Sequence, residues 1–283
     1  MLLRHLRDVR GLSRNKIQKL IEVGAVRIND KPAPRISWRV AAGDALTIDL
    51  PDAPARQRPK AEALPIDILY EDDDLLVVNK PAGQVAHPAF KNSSGTLLNA
   101  LLSYANGNWT PALVNRLDKD TSGLVLVAKS STIQTALQRA MNKNEVEKDY
   151  LAVVRGKPTP AKGTIDLALD RDPWDRRRVM VRDRGGQQSV TRYERIATAR
   201  DGTLSVVRCR LITGRTHQIR VHLAAKGWPI LGDGTYGTKD ARIDRQALHA
   251  WRLAFAHPDT RQRIALIAPV PEDISSLVSP ISL

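Results

Sequence analysis

Three short segments carry side chains whose types and spacing could perform chemistry. In the first, Asp118 stands between Arg116 and Lys119, shortly before the apolar run Leu124–Ala128. Cations on either side favour the ionised form of a carboxyl group. A carboxylate at the mouth of a strand can act as a nucleophile or as an electrostatic partner at a sugar carbon. A charged surface turn is the alternative that this pattern leaves open.

Asp120 lies two residues after Asp118 and raises the alternative of a glycosidase-type pair of acids. The carboxyl groups of such a pair lie about 5–9 Å apart on either side of the bond that is cleaved. Asp118 and Asp120 belong to one turn and would share one environment. The sequence therefore disfavours this pairing.

The second segment places Tyr150 at the start of the strand-like run Tyr150–Val154, next to basic residues. A phenol in a basic cleft can stack on a nucleobase and take part in proton transfer. A tyrosine that caps the hydrophobic core is the alternative.

The third segment, 213–224, is predicted to leave a strand through a glycine turn and to begin a helix at Thr216. At 100° per residue, Thr216, His217 and Arg220 then share one helix face. An arginine fixed on a helix can pair with a carboxylate while its neighbours, such as Arg215 and His217, meet phosphate. An ordinary basic helix is the alternative.

The sequence contains no pattern of metal or cofactor binding. His217 and His222 are five residues apart, which is not the spacing of a His-x-x-x-His zinc pair. A single cysteine, Cys209, excludes internal disulfides and CxxC zinc sites and is typical of the reducing cytoplasm. The glycine-rich stretch 232–237 lacks the Lys-Ser/Thr of a phosphate-binding loop. We expect a cytoplasmic protein with no metal and no cofactor.

The charge balance indicates a polyanionic partner. The 283 residues include 44 Lys and Arg against 30 Asp and Glu, a net charge of +14. No apolar run approaches the roughly 18 residues that span a bilayer, and no basic amphipathic helix or lipidation motif points to a membrane surface. The early charges leave no hydrophobic region for a secretory signal. RNA or DNA is therefore the expected partner.

The first 50 residues are predicted to form a small basic αβ domain. A helix over Arg14–Val23, capped by Ser13 and ended by Gly24, is followed by short strands. Its apolar positions can bury against those strands, which leaves the cations on the other faces as candidate RNA contacts: Arg14, Lys16 and Lys19.

A linker with three prolines spans 51–63 and separates this domain from a catalytic domain over 64–283. In the second domain, strands outnumber helices and do not alternate with them, so we expect an α+β fold built on a mainly antiparallel mixed sheet flanked by helices and loops. The predicted strands are Leu75–Val78, Leu124–Ala128, Tyr150–Val154, Val190–Ile196, Leu204–Ile212, Leu248–Ala256 and Ile264–Ile267. The predicted helices are Thr96–Tyr104, Thr132–Asn142 and Thr216–Ala225.

Taken together, the three segments resemble the RluA-type pseudouridine synthase family. Arg-Leu-Asp-Lys-Asp-Thr-Ser-Gly stands at 116–123, Lys-x-Tyr-x-Ala-x-Val-x-Gly at 148–156, and Gly-Arg-Thr-His-Gln-Ile-Arg-Val-His at 214–222, in the order of the family. Further matches carry the resemblance over nearly all of 64–283. Residues 2–50 resemble an S4 RNA-binding domain.

The resemblance implies that the protein isomerises uridine to pseudouridine within RNA, without a cofactor or a metal. By position, Asp118 is similar to the essential aspartate of the family, Tyr150 to its base-stacking and proton-handling tyrosine, and Arg220 to the arginine that pairs with the aspartate. Arg116 matches an arginine that occupies the space of the flipped base. Asn115 departs from the family, which commonly has His there.

The S4-plus-catalytic arrangement, by analogy at the level of the fold, favours large-subunit (23S) ribosomal RNA as substrate. A transfer-RNA pseudouridine synthase is the alternative within the family. A non-catalytic RNA-binding or ribosome-assembly protein, and a glycosidic hydrolase or nuclease, are the alternatives outside it. We expect a monomer without an obligatory protein partner. Gln187-Gln188-Ser189 replaces a more usual Gly-Lys-Ala-type stretch, which leaves the RNA contacts there open.

Overall fold

The computed structural model describes residues 14–50, 59–88, 92–175 and 177–278. The chain divides into two compact units, Met1–Arg58 and Pro59–Leu283. The division falls inside the predicted linker 51–63, of which 51–58 lie outside the described residues. Residues 59–63, the end of the predicted linker, belong to the second unit. The Lys60 carbonyl accepts a hydrogen bond from the Asn99 side-chain amide at 2.7 Å. The second unit thus begins before the predicted residue 64.

In the described residues 14–50, the first unit contains one helix and a three-stranded antiparallel sheet. Its core is formed by Ile17, Leu20 and Val26. The helix ends one residue before the predicted Val23, and Gly24 follows it at φ +75°, a conformation that glycine adopts without strain. The predicted cap Ser13 lies outside the described residues. The elements are α1 (Arg14–Glu22), β1 (Val26–Ile28), β2 (Lys31–Pro32) and β3 (Leu46–Ile48).

The second unit is built on a mixed sheet of ten strands, counted over the described residues. These strands are β4 (Ile68–Glu71), β5 (Leu75–Lys80), β6 (Ala112–Leu113), β7 (Ser122–Ala128), β8 (Glu147–Arg155), β9 (Lys162–Asp166), β12 (Val190–Thr198), β13 (Leu204–Leu211), β14 (Leu248–Ala256) and β15 (Arg263–Ile267). The path runs β4-β5-β7-β14-β8-β13-β12-β9, with β6 beside β7 and β15 beside β14. The β7–β14 pair is parallel and the other pairs are antiparallel. The expected α+β class with a mainly antiparallel mixed sheet is confirmed.

Over the part of the chain that the structure describes, four helices and a separate hairpin complete the second unit. The helices are α2 (Leu97–Ala105), α3 (Ser131–Asn142), α4 (Gln218–Ala225) and α5 (Glu272–Val278), and the hairpin strands are β10 (Leu169–Arg171) and β11 (Val179–Val181). Side-chain oxygens of Thr96 and Ser130 cap α2 and α3. None of the helices in the described ranges is long and apolar enough to cross a bilayer.

The sheet is buried on both faces where β5 and β7 run through it. In β5, Leu76 and Val78 join one hydrophobic cluster, whereas Leu75 and Val77 join a second cluster on the other face. All seven residues of β7 are buried. Strands covered on both faces are apolar throughout rather than alternating. The turn that precedes β7 is therefore attached to a strand that is buried on both faces.

Gly123 makes the parallel pairing of β7 with β14 possible. It adopts φ +112°, and a Cβ atom there would lie 2.2 Å from the carbonyl oxygen of Ala250. No side chain fits in that space, so the close approach of the two strands requires glycine. This contact fixes the end of the turn that carries Asp118.

Candidate active site

A cavity of about 890 Å³ opens in the second unit. Its walls come from the turn before β7, from β8, from the end of α3, and from the loop that enters α4. Asp118 is the one acidic residue among the described residues that line it. All six of the predicted site residues in this unit line the same cavity: Arg116, Asp118, Tyr150, Arg215, His217 and Arg220.

Asp118 and Arg220 are joined across 102 residues of sequence. The Arg220 Nη1 atom donates to Asp118 Oδ2 at 3.0 Å. Asp118 Oδ1 has no hydrogen-bond partner within the described residues, and the side chain is 26 % exposed. The arginine thus binds one carboxylate oxygen and leaves the other facing the cavity.

Asp233 holds the other edge of the Arg220 guanidinium. Its carboxylate accepts from Nε at 2.7 Å and from Nη2 at 2.9 Å. Burial alone would favour the neutral acid, but the bond to Arg220, the charge of Arg220 and two backbone hydrogen bonds together outweigh it and lower the pKa of Asp233. The Tyr236 ring also lies under the guanidinium, with its centroid 5.1 Å from the central carbon. The guanidinium is therefore oriented before any substrate binds.

The sequence analysis missed Asp233 and Tyr236 as site residues. Both stand in the glycine-rich stretch 232–237, which is weak as a nucleotide-binding motif and belongs to the further matches of the resemblance without predicting a site residue. Gly232 permits the turn, since it has φ +75° and a Cβ atom would lie 2.2 Å from the Arg245 carbonyl oxygen. The signal in the sequence was an acidic residue between two glycines, in the run Gly232-Asp233-Gly234.

Tyr150 lies on β8 and is buried at the cavity wall. Burial, with a smaller contribution from the Asp118 charge, raises the pKa of the phenol well above its usual value. At neutral pH the hydroxyl therefore keeps its proton. A neutral aromatic ring at this place suits stacking against a planar base.

The predicted helix start at Thr216 is wrong. The helix α4 begins at Gln218, and His217 precedes it in the left-handed conformation with φ 55°. Thr216, His217 and Arg220 therefore do not share one helix face. The loop nevertheless carries His217 into the site, with Nε2 3.9 Å from Asp118 Oδ2 and Nδ1 2.8 Å from the Tyr236 hydroxyl. Burial lowers the pKa of His217, although the Asp118 charge opposes the shift.

Gln218 explains why the loop has this shape. Its Oε1 atom accepts from the Arg215 backbone nitrogen at 3.0 Å and from the Thr213 hydroxyl at 2.9 Å. Its Nε2 atom donates to the Val190 carbonyl at 3.0 Å. One buried amide thus ties the loop to β12 and displaces the start of the helix.

Two cations that the sequence analysis missed hold the backbone beside Asp118. Lys80 is fully buried and donates to the Lys119 carbonyl at 3.0 Å. Arg245 donates to the Asp120 carbonyl at 3.1 Å. Burial lowers the pKa of Lys80 to about 8. Nothing in the local sequence distinguishes such cations from surface ones.

The remaining predicted contacts are placed as follows. Arg116 is exposed at the cavity, and Arg215 is exposed with Nε 3.4 Å from the Gln188 carbonyl. Lys16 and Lys19 lie on α1 of the first unit, whereas the Arg14 side chain lies outside the described residues. Within the described ranges, no group of three or more His, Cys, Asp or Glu residues could hold a metal ion. Cys209 is buried in β13.

Comparisons with known proteins define the class to which this fold and site belong. The family model for RNA pseudouridylate synthase matches residues 74–225, and the S4 domain model matches residues 10–46. The solved structure of human RNA pseudouridylate synthase domain containing 1 has a TM-score of 0.63 and 29 % identity, and the match covers 78 % of this chain and 90 % of that one.

Curated relatives match over almost the whole chain. The uncharacterized RNA pseudouridine synthase YlyB of Bacillus subtilis (strain 168) is 40 % identical, over 94 % of this chain and 88 % of the relative. Ribosomal large subunit pseudouridine synthase D of Nitrosomonas europaea is 40 % identical, over 95 % of this chain and 80 % of the relative. The chain therefore belongs to the RNA pseudouridine synthase family. It is an RNA-modifying enzyme with an N-terminal S4 domain, and the resemblance drawn from its motifs is confirmed.

Proposed function

We propose that this enzyme converts uridine to pseudouridine in large-subunit ribosomal RNA, with Asp118 as the reacting carboxylate. The observation that carries the catalytic part is a single acid in a basic cavity, with Oδ2 bound by Arg220 and Oδ1 left open. The substrate rests on the relatives named ribosomal large subunit pseudouridine synthase D and on the net charge of +14.

The uridine must first leave its stack to reach Asp118. Unstacking costs roughly a few kcal/mol, which contacts in the cavity and at the phosphates offset. Tyr150 offers an aromatic wall for the uracil ring, and Arg116 fills the space that the base vacates in the RNA. The exposed Arg215 and the adjacent His217 border the same opening and bind the RNA around the nucleotide.

The reaction exchanges one bond of the uracil for another. Asp118 drives cleavage of the N1–C1′ bond, the detached uracil rotates, and C5 bonds to C1′. The hydrogen at C5 leaves as a proton and N1 gains one, so the product has the same atoms as the substrate. Arg220 contributes by holding Oδ2, which keeps Oδ1 aimed at the nucleoside through the sequence of steps.

The test of the catalytic assignment is Asp118→Asn, with Asp120→Asn as matched control. Both changes remove one charge from the same turn, but Asp120 does not line the cavity. We expect Asp118→Asn to bind RNA and to release no tritium from RNA labelled at C5 of uridine. The control should keep its activity. Full activity of Asp118→Asn would overturn the proposal.

The test of the substrate is a map of pseudouridine in RNA from cells that lack the gene. We expect a carbodiimide-reactive site to disappear from large-subunit ribosomal RNA. Loss from transfer RNA alone would show that the substrate is transfer RNA. Incubation with purified enzyme should leave the length and mass of the RNA unchanged, whereas a hydrolase would release uracil and a nuclease would shorten the chain.

The first unit is proposed to bind the RNA through the cations of α1, Arg14, Lys16 and Lys19. Removing residues 1–50 should weaken binding and reduce the steepness of its salt dependence, because phosphate contacts release counterions. An unchanged slope would show that Arg14, Lys16 and Lys19 do not contact phosphate.

A further inference from the structure

Lys148 is a cation in the cavity that the reaction described above does not use. It stands on β8 two residues before Tyr150, and both side chains line the cavity. Its Nζ atom lies 3.8 Å from the sulfur of Met141. Within the described residues, Lys148 forms no ion pair with a carboxylate.

The acids next to Lys148 are occupied on the other face of the strand. Glu147 pairs with Arg252 at 2.9 Å, and Asp149 pairs with Arg210 at 2.6 Å. Successive side chains of a strand point to opposite faces. Neither acid therefore faces the Lys148 ammonium, although both are adjacent in sequence.

Other partly or fully buried lysines of this unit have strong acceptors. Lys129 pairs with Glu71 at 2.8 Å, and Lys80 donates to three backbone carbonyls. Lys148 is partly buried, and burial lowers its pKa. A desolvated cation without a counter-charge costs free energy in the empty protein, and binding of an anion would offset that cost.

Lys148 lies beside a residue that has no side chain. A Cβ atom built on Gly214 would contact Nζ at 3.9 Å, so glycine leaves this side of the ammonium open. Arg215, the next residue, is exposed and lines the same cavity. Asp118 is the acid of this cavity among the described residues, and its carboxylate is bound by Arg220 and not by Lys148 or Arg215.

We propose that Lys148 binds a phosphodiester of the RNA strand adjacent to the uridine that reaches Asp118. This inference rests on the proposed function, in which a nucleotide enters the cavity with its base against Tyr150. A nucleotide cannot enter without the phosphates that flank it. The ammonium two residues from Tyr150 is placed to receive one of them, since it lines the same cavity and no carboxylate of the described residues pairs with it.

The experiment measures binding of in vitro transcribed 23S ribosomal RNA to the full chain between 50 and 200 mM salt. Four proteins are compared: wild type, Lys148→Met, Lys148→Arg, and Lys162→Met as control. Lys162 is exposed on β9 and does not line the cavity. Each phosphate contact contributes about 0.7–0.9 to the slope of log affinity against log salt concentration, which is about a threefold change in affinity over this range.

We expect Lys148→Met to bind about tenfold more weakly at 50 mM salt, as for one charge-assisted hydrogen bond. As salt rises to 200 mM, the fold-decrease in its affinity should be about three times smaller than that of wild type. Lys148→Arg should keep the wild-type slope, and Lys162→Met should leave slope and affinity close to wild type. In tritium-release assays, Lys148→Met should raise KM more than it lowers kcat, since a phosphate contact acts in ground state and transition state alike.

A structural role for Lys148 would give a different result. Removal of an uncompensated cation should leave the Tm of Lys148→Met unchanged or higher, whereas loss of a structural contact would lower it. An unchanged salt slope in Lys148→Met overturns the inference. This is the result expected if Lys148 binds a neutral uracil carbonyl instead of a phosphate. Tritium release by wild type on the same transcript separates this outcome from failure of the proposed substrate.

Discussion

The substitution Asp233→Asn tests whether the active site depends on an acid that never touches the substrate. Asp233 is almost fully buried and accepts two bonds from Arg220. Its Oδ1 atom also accepts from the backbone nitrogens of Thr235 and Tyr236 at 2.9 and 3.2 Å. Asparagine can keep the contacts of one oxygen, but its amide group would face the Nε–H of Arg220, so that two donors oppose each other.

The magnitude follows from the burial of the pair. Breaking a buried ion pair costs about 3–5 kcal/mol, because the remaining charge loses its partner. Arg220 keeps its bond to Asp118, so we expect a loss near the lower end, about 3 kcal/mol. A guanidinium released on one edge also holds Asp118 less well, and we expect kcat to fall about 100-fold.

Urea unfolding of the full chain and tritium release from uridine-labelled RNA measure the two effects. The control is Asp175→Asn, since the Asp175–Arg177 pair lies at the surface and should contribute little to the free energy of unfolding. The double variant Asp233→Leu with Arg220→Met should recover most of the stability while activity stays lost. Stability within about 1 kcal/mol of wild type, together with an unchanged kcat, would refute the argument that Asp233 orients Arg220.

Two further predictions concern the sheet that carries the site. Gly123→Ala should lower the free energy of unfolding in urea by about 3 kcal/mol, because it adds strain at positive φ and a clash with Ala250. The control Gly156→Ala has positive φ but open space around it, and should cost only about 1 kcal/mol. Equal losses in the two variants would contradict the clash. Burial lowers the pKa of His249 to about 4 from its ordinary 6.5, so the unfolded chain binds a proton first as the pH falls. Between pH 6.5 and 4, the free energy of unfolding should therefore fall by about 3 kcal/mol more in wild type than in His249→Asn. If the two plots of this free energy against pH are parallel, the pKa of His249 is not lowered.

The main strands could be predicted from the sequence because their signal is local. Runs such as Leu75–Val78 and Leu124–Ala128 are apolar throughout, and the structure buries both on two faces. The short strands β9, β10 and β11 gave no such signal, since β9 and β10 contain polar and charged residues and β11 has only three residues. Their residues are partly exposed, and pairing of β9 with β12 and of β10 with β11 determines their conformation.

The start of α4 shows how a tertiary contact overrides a periodic pattern. The sequence predicts a helix from Thr216, directly after the glycine turn, but the side chain of Gln218 binds the preceding loop and β12. His217 then takes a left-handed conformation and reaches Asp118 from outside the helix. The residue types predicted the right participants with the wrong geometry.

The sequence by itself determined the chemistry available to this protein: an acid among cations, a tyrosine on a strand, and a basic loop before a helix. Only the tertiary structure decided which charged groups meet, since Arg220, Asp118 and Asp233 come from three separated segments. Whether an ion is solvated or buried depends on what packs over it, and that information is spread over the whole chain. For this reason Asp118 could be predicted from its motif, whereas Asp233, Lys80 and Arg245 required the fold.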